Sequence, residues 1–159
     1  MRIRSALACC LLVGAPAPCA LAAQETLPEA AMDALLRYAA GEYVDAAHPV
    51  LAVDLDGFAD VEVAAAVAAR LGLPSGPRSA FYRCDEGRIR CRIEGADRLL
   101  RMERIVQRAE GGVLTVRILL GTESEGPEGR ARVFPSLREI RMENRGGWTV
   151  TSDEVLVIG

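Results

Sequence analysis

The chain of 159 residues reads as an α+β domain, two N-terminal helices packed on an antiparallel meander sheet. Three observations carry that. Met32, Leu35, Leu36 and Ala39 recur at helical spacing. An alanine-rich run from Val61 to Leu71 is bracketed by Asp60 and Gly72. From Ala80 onward the pattern changes to alternation and strand-like runs, punctuated by glycine pairs. Helices at one end of a chain and strands at the other give a sheet with helices on one face.

Each element has its own signal. Thr26-Leu27-Pro28-Glu29 has the form of a capping box, in which threonine and glutamate side chains satisfy each other's free N–H groups, and it predicts the start of the first helix. Gly41 is its predicted stop, with Tyr43 able to extend the apolar face by one turn. Val50 to Val53 suits a buried strand, and Asp54 to Asp60 a turn. Asp60 caps the second helix, Glu62 sits in its positive first turn, and Gly72 with Pro74 ends it. Ser75-Gly76-Pro77 is predicted as loop.

The strand half begins with a hairpin. Arg88, Arg90 and Arg92 alternate with Ile89, Cys91 and Ile93, which puts the arginines toward water. A two-residue turn at Gly87-Arg88 would set Cys84 opposite Cys91 and make a cross-strand disulfide feasible. So short a closed loop contributes about 2–3 kcal/mol. Asp97 to Glu110 admits a helix, from arginines three and four apart, or a long strand; a returning partner from Val113 to Leu120 favours the strand. Gly121 to Gly129 reads as an acidic loop. Arg130 to Glu143 and Trp148 to Ile158 form a terminal hairpin about Asn144-Arg145-Gly146-Gly147. This order of elements is similar to that of nuclear-transport-factor-2-like and cystatin-like proteins, and the resemblance implies a curved sheet cupping the helices.

Residues 1–22 carry an address. Arg2 and Arg4 precede an apolar core from Ala6 to Val13, and Ala20-Leu21-Ala22 places small residues where a signal peptidase reads. The core falls short of the roughly 20 residues a membrane span needs. A signal peptide over 1–22 and a single exported domain over 23–159 are therefore expected, in the periplasm or secreted, with no membrane span once the leader is gone. Pro18 before Cys19 argues against a lipid-anchored product, and Ile3 interrupts any twin-arginine signal. Cys9, Cys10 and Cys19 leave with the leader, so Cys84 and Cys91 remain as a pair for an oxidising compartment.

Composition narrows the partners. There is no lysine, and arginine and alanine usage fits a GC-rich bacterial genome. The net charge of −3 becomes about −5 without Arg2 and Arg4. An acidic balance with mixed signs excludes a nucleic-acid surface, which is basic. His48, the only histidine, excludes sites that need two and stands before Pro49 as a loop residue.

Three short stretches carry possible chemistry. Val50 to Gly57, an apolar strand ending in Asp54-Leu55-Asp56-Gly57, resembles the first motif of haloacid-dehalogenase phosphatases. The resemblance implies Asp54 as nucleophile and Asp56 as proton donor. Against it stand Phe58 where that family has a hydroxyl, the missing lysine, and no later acidic pair for Mg²⁺. Asp54, Asp56, Asp60 and Glu62 also offer oxygen ligands for calcium, without the spacing of an EF-hand. Tyr82-Arg83-Cys84-Asp85-Glu86-Gly87 is similar to the hairpin opening of periplasmic inhibitors of C-type lysozyme.

The expectation is a non-enzymatic exported domain, without cofactor, that binds an envelope protein or a small ligand. A contiguous apolar or arginine face on the sheet, including Arg88, Arg90 and Arg92, would mark a protein partner. A ligand pocket or enzyme of the nuclear-transport-factor-2-like type would instead show a cavity with a buried carboxylate, such as Glu103 or Glu139, held above its ordinary pKa.

Overall fold

The structure is a computed structural model that describes residues 26–84, 91–109, 112–125 and 131–158. The leader, the Gly87-Arg88 turn with Arg90, and residues 126–129 of the acidic loop lie outside the described residues. The protein is mixed α+β with one large, mostly antiparallel sheet. Its helices are α1 (Glu29–Glu42), α2 (Val61–Arg70) and the short α3 (Arg78–Phe81). Its strands are β1 (Leu51–Asp54), β2 (Ser75–Gly76), β3 (Tyr82–Cys84), β4 (Cys91–Ile93), β5 (Arg98–Ala109), β6 (Val113–Glu125), β7 (Ala131–Asn144) and β8 (Trp148–Ile158).

The sheet order is β2-β1-β5-β6-β7-β8, with β3 and β4 in a separate two-stranded sheet. The expected meander accounts only for β5 to β8, which are antiparallel neighbours. The other end corrects it: β1 runs parallel to both β2 and β5. Helix α2 is the crossover that makes β1 and β2 parallel, and the segment through α3 and the β3–β4 hairpin carries the chain back so that β5 enters parallel to β1. Ser75-Gly76 is accordingly a short strand and not loop, and α3 follows it. The loop expected from Gly121 also starts later, because β6 stays paired with β7 as far as Glu125.

The capping box does not form. Helix α1 begins at Glu29, after Pro28, with no side-chain cap. Leu27, 4% exposed, instead precedes Met32 by five residues, the spacing of a hydrophobic staple, and both lie in one core cluster. The carbonyl of Thr26 accepts from the Arg108 guanidinium at 2.7 Å. At its other end the helix passes Gly41 to Glu42, and Tyr43 is buried beyond it. Helix α2 starts as expected, with Asp60 Oδ1 accepting from the Val63 amide at 3.1 Å.

Asp97 to Glu110 resolves as strand, and its broken alternation has a physical origin. Leu100 points into the main core with Met32, Leu36 and Val53, while Leu99 joins a second core with Ala52, Phe81 and Ile93. The sheet is covered on both faces there, by helices on one side and by α3 with the β3–β4 hairpin on the other. A strand buried on both faces carries apolar residues in succession. Further along β5, register shifts after Met102 and Ile105 account for the rest.

A buried polar cluster ties α1 to the distant strands. Asp153 on β8 accepts two hydrogen bonds from Arg138 on β7, at 2.8 and 2.9 Å. It also accepts from the hydroxyls of Tyr43, at 2.7 Å, and Tyr38, at 3.1 Å. Burial alone would raise the Asp153 pKa, but the bonds from Arg138 and Tyr43 outweigh it and hold it below the usual range. The same burial and bonding push the Tyr38 hydroxyl up to about 12 and Tyr43 higher still.

Candidate functional site

Two parallel strands, β1 and β2, end together beside the small hairpin and against the early part of β5. Asp54, the last residue of β1, is flanked in register by Gly76 of β2 and Arg101 of β5. The carboxyl ends of parallel strands are where open α/β sheets place ligands, because the following chain diverges there and leaves a crevice. Here the chain turns through one turn of 3₁₀ helix, Leu55–Gly57, and Asp54 Oδ1 accepts from the Asp56 amide at 3.0 Å to close it. Glycine at 57 is a steric requirement. A Cβ there would lie 2.3 Å from the Met102 carbonyl oxygen and 2.8 Å from Arg101 Cγ. The D-x-D-G run is thus what a turn pressed against β5 demands.

The Asp54 side chain is only half satisfied. The residue is 1% exposed, and its Oδ2 has no hydrogen-bond partner among the described residues. Burial raises its pKa above the ordinary carboxylate range, against the amide of Asp56 and the positive charge of Arg101. Arg101 Nε is likewise buried without a hydrogen-bond partner among the described residues; Glu103 approaches it only to 3.6 Å. Both residues line one cavity of about 20 Å³, closed by Arg78, Tyr82, Leu99, Leu119 and Gly121.

A wider groove of about 570 Å³ lies alongside, lined by Asp56, Arg78, Ser79, Tyr82 and the cysteine pair. Arg78 and Tyr82 belong to both walls, with the guanidinium stacked 4.5 Å over the ring. The Arg78 amide donates to Asp56 Oδ2 at 3.0 Å, which fixes the start of α3 to the turn. Cys84 and Cys91 are disulfide-bonded across the β3–β4 pair in the predicted register. They form the outer rim.

The remaining candidates separate. Asp60 and the exposed Glu62 serve the start of α2, so the four carboxylates proposed for calcium do not converge. Among the described residues no three His, Cys, Asp or Glu side chains are placed to hold a metal ion. Arg92 is exposed and pairs with Glu94 at 2.8 Å. Glu139 is tied to Arg117 at 3.0 Å, and Glu103 is exposed. Arg117 and Arg141 on the large sheet thus stand in ion pairs, as Arg92 does on the small one, and carboxylates lie among these arginines. His48 sits in its loop against Asp45, at 3.2 Å, and Arg98.

Two other surface features differ from the Asp54 site. A larger groove of about 770 Å³ runs between α1 and β8, past Trp148. Its charges satisfy one another: Asp33 binds Arg37 and Arg70, each at 3.0 Å, and these bonds hold its pKa low. The end of β8 exposes Val155, Leu156, Val157 and Ile158. There Leu156 is an extra residue between the pairs of Val155 and Val157, a bulge that disrupts the sheet edge.

Sequence reasoning named Tyr82 only within the Cys84 hairpin stretch and missed Arg78 and Arg101 as site residues. Only the parallel pairing of β1 with β5 brings Arg101 to Asp54, and no local pattern encodes that register. Comparison with protein-family models, curated proteins and solved structures finds no match to this chain.

Proposed function

We propose that this chain is an exported, non-enzymatic binding domain that holds a small polar ligand between the ends of its parallel strands and the disulfide hairpin. The observation that carries the reading is Asp54, buried with one oxygen unpaired at the wall of a cavity. Leaving such an acceptor unpaired costs about 1–3 kcal/mol, so a ligand that satisfies it recovers free energy on binding. The adjoining groove of about 570 Å³ is within the size range of small-molecule sites.

Export is supported by the leader-like residues 1–22 and by the Cys84–Cys91 disulfide, since such bonds persist in oxidising compartments. Among the described residues no helix is long and apolar enough to cross a membrane. Helices α1 and α2 on one sheet face fit the half-open cup of nuclear-transport-factor-2-like folds. Binding is favoured over phosphoryl transfer because the chain has no lysine to meet a phosphoryl charge and burial disfavours the ionised, nucleophilic form of Asp54.

The test is a set of amide NMR spectra of the protein, recorded with the small-molecule fraction of an envelope extract. Shifts confined to Asp56, Arg78, Ser79 and Tyr82, absent after the fraction is dialysed away, support the reading. An unchanged spectrum overturns it.

A further inference from the structure

The walls of the deep cavity restrict what can enter it. Two of the lining residues carry buried atoms with no hydrogen-bond partner among the described residues, Asp54 Oδ2 and Arg101 Nε, the latter with Glu103 at 3.6 Å. The Arg101 Nε–H can only donate. Asp54 Oδ2 accepts when ionised and can donate when protonated. A carboxylate or phosphate oxygen suits Arg101 but meets an ionised Asp54 with repulsion. An ammonium suits ionised Asp54 but has nothing to accept from Arg101. A hydroxyl accepts one hydrogen bond while donating another, so it satisfies both groups whichever way Asp54 is ionised. The space, about 20 Å³, is on the scale of one such group.

From this we infer that the ligand is a polyol or saccharide, inserting one hydroxyl between Asp54 and Arg101 while its body lies in the groove along Arg78, Ser79 and Tyr82. The inference rests on the pocket reading above and names its ligand class. The wider groove suits that body. Ser79 and Asp56 offer polar atoms to further hydroxyls, and the disulfide closes the rim. The raised pKa of Asp54 is consistent with a site built for a neutral group, since burial there disfavours its charge.

The experiment follows the Asp54 carboxyl carbon by ¹³C NMR while glycerol, glucose or myo-inositol is added to the full chain. A saturable shift is expected with at least one of them, and none with the hexamethyl ether of myo-inositol, which accepts but cannot donate. Asp54→Asn and Arg101→Gln should each weaken binding about tenfold, the loss of one charge-assisted hydrogen bond. A shift with inorganic phosphate or acetate, and none with the hydroxyl probes, overturns the assignment and makes the pocket an anion site. If no probe moves the resonance, the cavity holds a resident water only and the assignment fails. The pocket reading falls with it only if the extract fraction also leaves Asp56 and Arg78 unmoved.

Discussion

Two buried carboxylates in this protein are treated in opposite ways. Asp153 receives four hydrogen bonds, from Arg138, Tyr43 and Tyr38, and its pKa is held low. Asp54 receives one, from the turn it closes, and its pKa is pushed up by burial. The first arrangement completes itself and needs nothing from outside. The second leaves an oxygen without a hydrogen bond at the wall of a cavity, near Arg101 Nε, which has Glu103 at 3.6 Å and no hydrogen bond among the described residues. Burial alone therefore does not distinguish these two carboxylates; the count of satisfied lone pairs does.

The largest effect is expected where the structural cluster is broken. Asp153→Ala leaves Arg138 and two tyrosine hydroxyls facing an unfilled space, and should cost about 3 kcal/mol in urea unfolding, the lower end for removing one partner of a buried ion pair. Replacing both members, Arg138→Met with Asp153→Leu, should recover most of that loss. Amide shifts around Asp54 should stay unchanged in either variant. If they move with Asp153, the two regions are one cooperative unit and the contrast between them fails.

Removing the disulfide probes the other region. Cys84→Ser with Cys91→Ser opens a loop spanning seven positions, and the expected loss is about 2–3 kcal/mol by chain entropy. Because the cysteines line the outer groove, resonances of Arg78, Ser79 and Tyr82 should broaden while those of Tyr38 and Tyr43 stay sharp. Equal broadening at both places would show that the hairpin supports the whole sheet and not the groove alone.

How much of this was legible depends on the range of the interactions. The hairpin register of Cys84 and Cys91, the Asp60 cap and the apolar face from Met32 to Ala39 are local, and each was readable from spacing. The Asx-type turn at Asp54 was readable for the same reason. Parallel pairing was not, since β1 and β5 are separated by more than forty residues and nothing in either names the other. The reading of Leu99-Leu100 as a broken pattern was itself the visible trace of a two-sided burial that only the assembled fold explains. The D-x-D-G run shows the reverse hazard. Its glycine is explained by a 2.3 Å approach to β5, without any catalytic requirement.

The smallest expected effect has the opposite sign and discriminates most finely. Asp54 has its folded-state pKa above the unfolded value, so its cost is absent below about pH 4, the ordinary aspartate range, and grows as the pH rises toward the folded pKa. Asp153 has a depressed folded pKa, so its contribution is complete above that range and is lost as the pH falls. Asp54→Asn should therefore stabilise the fold at neutral pH by about 1 kcal/mol while weakening ligand binding. Its advantage over the parent should shrink as the pH is lowered toward 4, whereas Asp153→Asn should keep its disadvantage over that descent and lose it only below about pH 4. Thermal unfolding across pH 3 to 7 measures both. Parallel curves for parent and Asp54→Asn would mean that Asp54 keeps its ordinary titration in the folded protein, and its buried oxygen would then be solvated and unavailable as the binding group.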